Sequence, residues 1–176
     1  MDVTLIVDGA NVMGSRADGW WRDRAGAMAR LHGELAALAA RGIRGPVPGD
    51  LEAAGDADAA AGPGPAGPPE AGSAGVTEAG SAGVTEAGQD DADGRWYPEI
   101  VLVVEGRTRK VLSLVSPAHG VQVVAAEGEG DDEIAGLASR LPGQRVVVTA
   151  DRELRRRVTS AGGAVIGPGW LLRQFR

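Results

Sequence analysis

Residues 3–14, VTLIVDGANVMG, decide the fold. A short apolar run, 3–7, breaks off at an acid and a glycine, and Asn11 follows three residues after Asp8. Such a run bounded by turn residues reads as a strand buried on both faces, so Asp8 stands at its carboxyl end. Working outward, Met28, Leu31, Leu35, Leu38 and Ala39 recur at spacings of three and four, which predicts a helix over 24–41 stopped by Gly42. Further strands are expected at 100–104, 121–125, 145–149 and 164–166. Helices are expected at 107–115, 131–140, 151–161 and 168–175, with Leu141, Pro142 and Gly143 ending the second of these and Gly162 and Gly163 the third. Five apolar strands alternating with helices imply an α/β fold with three α/β/α layers and a central, mainly parallel five-stranded sheet.

The segment 46–94 breaks that pattern. It is made almost wholly of Gly, Ala, Pro, Ser, Thr, Asp and Glu, and repeats the octapeptide EAGSAGVT at 70–77 and 78–85. With so little bulky apolar surface to offset ordering entropy, it is expected to be an acidic, low-complexity, disordered insert. Lengthening a loop costs little closure entropy, so 1–45 and 95–176 are expected to form a single domain around it.

Charge follows the same division. The net charge is −6, but ten of the 24 acids lie within 46–94, which holds no base. The other 14 acids face all 18 lysines and arginines, so the remainder carries about +4. There is no cysteine, which excludes disulfides, thiolate metal sites and a cysteine nucleophile. The start of the chain lacks the basic, apolar character of a secretory signal. No run approaches the roughly 20 apolar residues that span a bilayer. A soluble, cytoplasmic protein without a membrane partner is the expectation.

Ligands of open parallel sheets bind beyond the carboxyl ends of the strands. Asp8 and Asp151 each follow a strand, and Asp131-Asp132-Glu133 opens a helix after the turn EGEG. Local readings exist for each: a turn residue, a helix N-cap and acids complementing a helix dipole. Together they bring carboxylates to one rim of one sheet. Hard cations such as Mg²⁺ or Mn²⁺ take oxygen ligands, and gathered like charges call for one. Asn11 could bond Asp8 or a phosphate, and the Thr149 hydroxyl could orient a carboxylate or a water.

Arginines surround these acids. Arg152, Arg155 and Arg156 follow Asp151, and Arg157 continues the run; Arg16, Arg22 and Arg24 flank the pair Trp20-Trp21. Guanidinium groups suit phosphates, and arginines interleaved with aromatics can grip a single strand by charge and stacking. Arg16, Arg22, Arg152, Arg155 and Arg156 are the candidate nucleic-acid contacts. His32 and His119 adjoin no acidic block and are read as incidental.

The segments LIVDGANVMG (5–14), GDDEIAGLA (130–138) and VVVTADRELRRRV (146–158) resemble, in order, the three signature blocks of NYN domains in the PIN-like nuclease superfamily, nearest its YacP-like branch. The resemblance spans about 127 residues, everything outside the insert. It implies metal-assisted endoribonuclease activity, with Asp8, Asp132 (or its neighbour Asp131) and Asp151 as the acids and Asn11 as the asparagine of the first turn. Asp8, Asp131, Asp132 and Asp151 are then the candidate metal ligands, and Asp8, Asp132, Asp151 and Asn11 the candidate catalytic residues. This chain departs from the pattern where a further acid usually follows the second strand in a stretch like VVFDG, because VVEG supplies Glu105 instead. The long acidic insert is a second departure.

The expected function is hydrolysis of RNA, single-stranded by preference, at a carboxylate-bound Mg²⁺ or Mn²⁺. The alternative is a PIN-like module that binds RNA or the ribosome without cutting. A HAD-type phosphatase would need a second acid where Ala10 stands, and a dinucleotide site would need G-x-G-x-x-G after the first strand. Neither is present.

Overall fold

The computed structural model describes residues 2–45, 94–116 and 118–176. The expectation of disorder for 46–94 falls, apart from Gly94, outside these residues. Five strands, β1 (Val3–Asp8), β4 (Glu99–Val104), β5 (Val121–Ala125), β6 (Gln144–Val148) and β7 (Ala164–Ile166), form one sheet in the order β5-β4-β1-β6-β7. Every neighbouring pair is parallel. Helices α1 (Gly9–Gly14), α2 (Arg24–Arg41), α3 (Gly130–Arg140), α4 (Arg152–Ser160) and α5 (Pro168–Gln174) complete the three layers.

Alternation along the buried strands separates two cores. Leu5, Val7, Leu102, Val104, Val146 and Val148 face Met28, Leu31, Leu35 and Leu38 of α2. Ile6, Val101, Val103 and Val147 face Ile134 and Leu137 of α3 and Leu154 and Val158 of α4. This follows from the period of two in a strand and 3.6 in a helix. From β1 the chain moves outward through α2 to β4 and β5. It then crosses back on the opposite face through α3 to β6 and β7. The direction of winding therefore reverses beside β1, where a crevice opens at the carboxyl ends of the strands.

Three details were not expected. The segment Gly106–Ser113 winds as a 3₁₀ helix, a second 3₁₀ turn covers Trp20–Arg22, and β2 (Ile43–Arg44) pairs antiparallel with β3 (Arg95–Trp96). Trp96 is buried and stacks on Trp170 of α5, with centroids 6.4 Å apart. That contact fastens the two-stranded ribbon to the domain body. No helix among the described residues is long and apolar enough to cross a membrane.

Candidate functional site

Strand register places the acids. Asp8 is the last residue of β1 and lies beside Val103, two residues before Glu105 on β4. Val7 lies beside Val148, which brings Thr149 level with Asp8. The turns after β1, β4 and β6 and the start of α3 thus emerge together. They enclose a cleft of about 430 Å³ whose lining includes Asp8, Asn11, Ser15, Glu105, Asp131 and Asp151. Among the described residues, no lysine or arginine lines it.

Each acid is held by a bond that its local sequence supplies. Asp8 is buried and caps α1, its Oδ1 accepting the Asn11 N–H at 3.0 Å. Its Oδ2 accepts the buried Thr149 hydroxyl at 3.0 Å. The same Oγ1 accepts the Asp151 N–H at 3.1 Å, so one threonine joins two acids. Asp151 caps α4 through the Leu154 N–H at 2.8 Å. The capping and turn roles anticipated for these acids are real, and coexist with their place in the cleft. Asn11 reaches across with Oδ1 to accept the Ala150 N–H at 2.9 Å, tying the turn after β1 to the turn after β6.

Glu105, which stands where the family pattern places a further acid, is held at both backbone and carboxylate. Thr108 fastens its backbone N–H through Oγ1 at 3.1 Å, while Oε2 accepts the Gly130 N–H at 2.7 Å. A Cβ on residue 130 would lie 2.7 Å from that oxygen, so glycine is what lets the carboxylate dock on the first turn of α3. The signal was available: Glu105 directly follows β4, as Asp8 ends β1.

Asp131 and Asp132 part company. Asp131 lines the cleft. Asp132 does not; it is exposed and pairs with Arg157 of α4 at 2.8 Å. At 100° per residue, Asp132 lies nearly opposite the stripe of Ile134 and Leu137 that meets the sheet, whereas Asp131 lies beside it. Of the two neighbours expected for the middle acid, Asp131 is the one on the cleft.

Burial dominates the electrostatics. It raises the Asp8 carboxyl above the ordinary carboxylate range, against the lowering effect of the Asn11 and Thr149 bonds, and the charges of Asp131 and Glu105 add to the rise. Asp131 is raised by burial and then by Asp151, Glu105 and Glu129, with Arg157 opposing. The donor set is all oxygen and fits a hard divalent cation in kind. As the side chains stand, no group of three histidines or acids among the described residues is gathered to hold an ion.

The arginines divide as well. The largely buried guanidinium of Arg16 pairs with Glu34 and lies 5.4 Å from the Phe175 ring centroid. Arg22 is exposed beside Trp21. Arg152 is exposed at the start of α4, immediately after Asp151. Arg155 is partly buried and engaged, and Arg156 pairs with Glu153 one turn back.

No family model matches the chain, and neither does any curated protein. Among solved structures, Rae1 (YacP) from Bacillus subtilis aligns with a TM-score of 0.56 at 16% identity, over 99% of this chain and 74% of that one. The fold is that of YacP. A mutant form of the same protein gives a TM-score of 0.54 at 15% identity, over 99% and 75%. Identity at that level transfers the architecture, in agreement with the PIN-like sheet expected from the sequence. What the YacP fold does in this chain rests on the residues of the cleft.

Proposed function

We propose that the chain is a metal-dependent endoribonuclease that hydrolyses phosphodiester bonds of single-stranded RNA. One observation carries the reading: Asp8, Glu105, Asp131 and Asp151 line a single cleft at the carboxyl rim of a YacP-type sheet. These four carboxylates would hold Mg²⁺ or Mn²⁺. When bound, the ion supplies an acidified water as nucleophile and stabilises charge on the leaving oxygen. The chain supplies position. Thr149 fixes Asp8 and the turn carrying Asp151, Asn11 locks the two strand ends together, and Gly130 holds Glu105. Arg152 at the rim suits a flanking phosphate. The absence of cysteine accords with work in the reducing cytoplasm.

Mn²⁺-dependent cleavage of a labelled single-stranded RNA tests the reading. Asp8→Asn and Asp151→Asn are expected to abolish it, and full activity in both variants would refute the assignment. A second reading, an RNA- or ribosome-binding module that does not cut, draws on the fact that no three described acids stand gathered around one point. Calorimetric titration separates the two, because the nuclease binds Mn²⁺ and loses that binding in Asp8→Asn.

A further inference from the structure

The 3₁₀ turn Trp20–Arg22 serves neither the cleft nor, for the most part, the core. Trp20 packs partly against the apolar interior. Trp21 stands against it edge to face, centroids 6.4 Å apart, and is 57% exposed. The Arg22 guanidinium lies 6.0 Å from the Trp21 centroid, and that of Arg24 lies 5.5 Å from Trp20. An indole left more than half exposed costs solubility, yet here two cations flank the pair. The acids of this loop are engaged with backbone: Asp18 accepts the Trp20 N–H at 3.2 Å and Asp23 that of Gly26 at 2.9 Å.

Topology puts this turn on the pole of the cleft. β1 ends at the cleft, and the parallel β4 begins at the opposite pole. α2, which joins them, must run back down the sheet, so its start lies at the carboxyl pole. Ser15, which lines the cleft, is six residues from Trp21, a reach of at most about 20 Å.

We propose that Trp21 is a stacking platform for one base of the single-stranded RNA whose backbone crosses the cleft, with Arg22 and Arg24 facing the adjoining phosphates. The inference rests on the nuclease reading and adds what positions the strand. Stacking on an indole is tolerant of base identity and demands an unpaired base, so the platform selects single strands without selecting sequence.

The test is fluorescence anisotropy of a fluorescein-labelled 12-nucleotide oligouridine in EDTA, where no cleavage occurs. An abasic strand of the same length serves as control, with Mn²⁺-dependent cleavage read in parallel. Trp21→Ala is expected to weaken binding of the oligouridine about ten-fold and to leave the abasic strand unchanged, while Trp21→Phe restores most of the affinity. Equal affinity of wild type and Trp21→Ala for the oligouridine overturns the platform. If cleavage by Trp21→Ala is also unchanged, the nuclease reading stands alone. Weakened binding in Trp21→Ala by a wild type that never cuts sustains the platform and overturns the nuclease reading.

Discussion

Thr149 Oγ1 donates to Asp8 Oδ2 at 3.0 Å and accepts the backbone N–H of Asp151 at 3.1 Å. A single buried hydroxyl thereby sets the spacing of two acids 143 positions apart in sequence. Thr149→Val keeps the shape and removes both bonds. We expect about 1–3 kcal/mol of destabilisation from the unpartnered buried groups and a roughly 10- to 100-fold loss of Mn²⁺ affinity. A calorimetric titration indistinguishable from wild type would show that the hydroxyl positions nothing.

Asp8 gives the metal-free protein a pH signature. Its folded pKa lies above the unfolded value, so the native state favours the neutral carboxyl. That contribution is complete below the unfolded pKa and is lost as pH rises through the folded one. In EDTA at pH 7, Asp8→Asn should therefore melt above wild type, and the gap should close as pH falls toward 4. A wild type that melts above the variant at pH 7 in EDTA would contradict the reading. Adding Mn²⁺ should reverse the order, since only wild type gains from binding.

Asp131 and Asp132 are neighbours with different surroundings. Asp131→Asn should reduce cleavage at least 100-fold, by analogy with the loss of a metal-shell group. Asp132→Asn removes only an exposed pair with Arg157, of the kind worth under about 1 kcal/mol, and should leave kcat within about three-fold. Reversed effects would restore Asp132 to the site.

Glu105 both anchors and charges the cleft, and two substitutions separate these roles. Glu105→Gln retains an acceptor for the Gly130 N–H and should keep Tm close to wild type while weakening Mn²⁺ binding. Glu105→Ala leaves that N–H unpartnered and should cost about 1–3 kcal/mol as well. Equal Mn²⁺ affinity in wild type and Glu105→Gln would reduce Glu105 to a structural role.

Much of this was legible beforehand. Short apolar stretches located the five strands, and the abrupt acids after two of them located Asp8 and Asp151. What stayed hidden depended on contacts distant in sequence. Arg16 looks like a surface cation until Glu34 of α2 and Phe175 near the far end of the chain enclose it. Glu105 acquires its bond from a glycine 25 residues on. The choice between Asp131 and Asp132 turns on helical phase, which the buried stripe of α3 could have supplied. The β2–β3 ribbon, two residues to a strand, is too short for any periodicity to register.

That ribbon uncouples length from folding. Arg44 and Arg95 are partners across it, so the chain is handed back at the point where it departs, at the pole away from the cleft. Gly45 and Gly94 carry φ of 111° and 63°, both positive, the sign a type I′ hairpin turn needs at its two central residues. Joining them directly should give a protein that melts no lower than the full chain and cleaves RNA at the same rate; a drop in Tm would show that the intervening stretch contributes to the domain. For a flexible loop, each doubling of length costs only about 0.6 kcal/mol. We therefore expect chains with one copy more or one copy fewer of the octapeptide to melt and to cleave RNA as the full chain does.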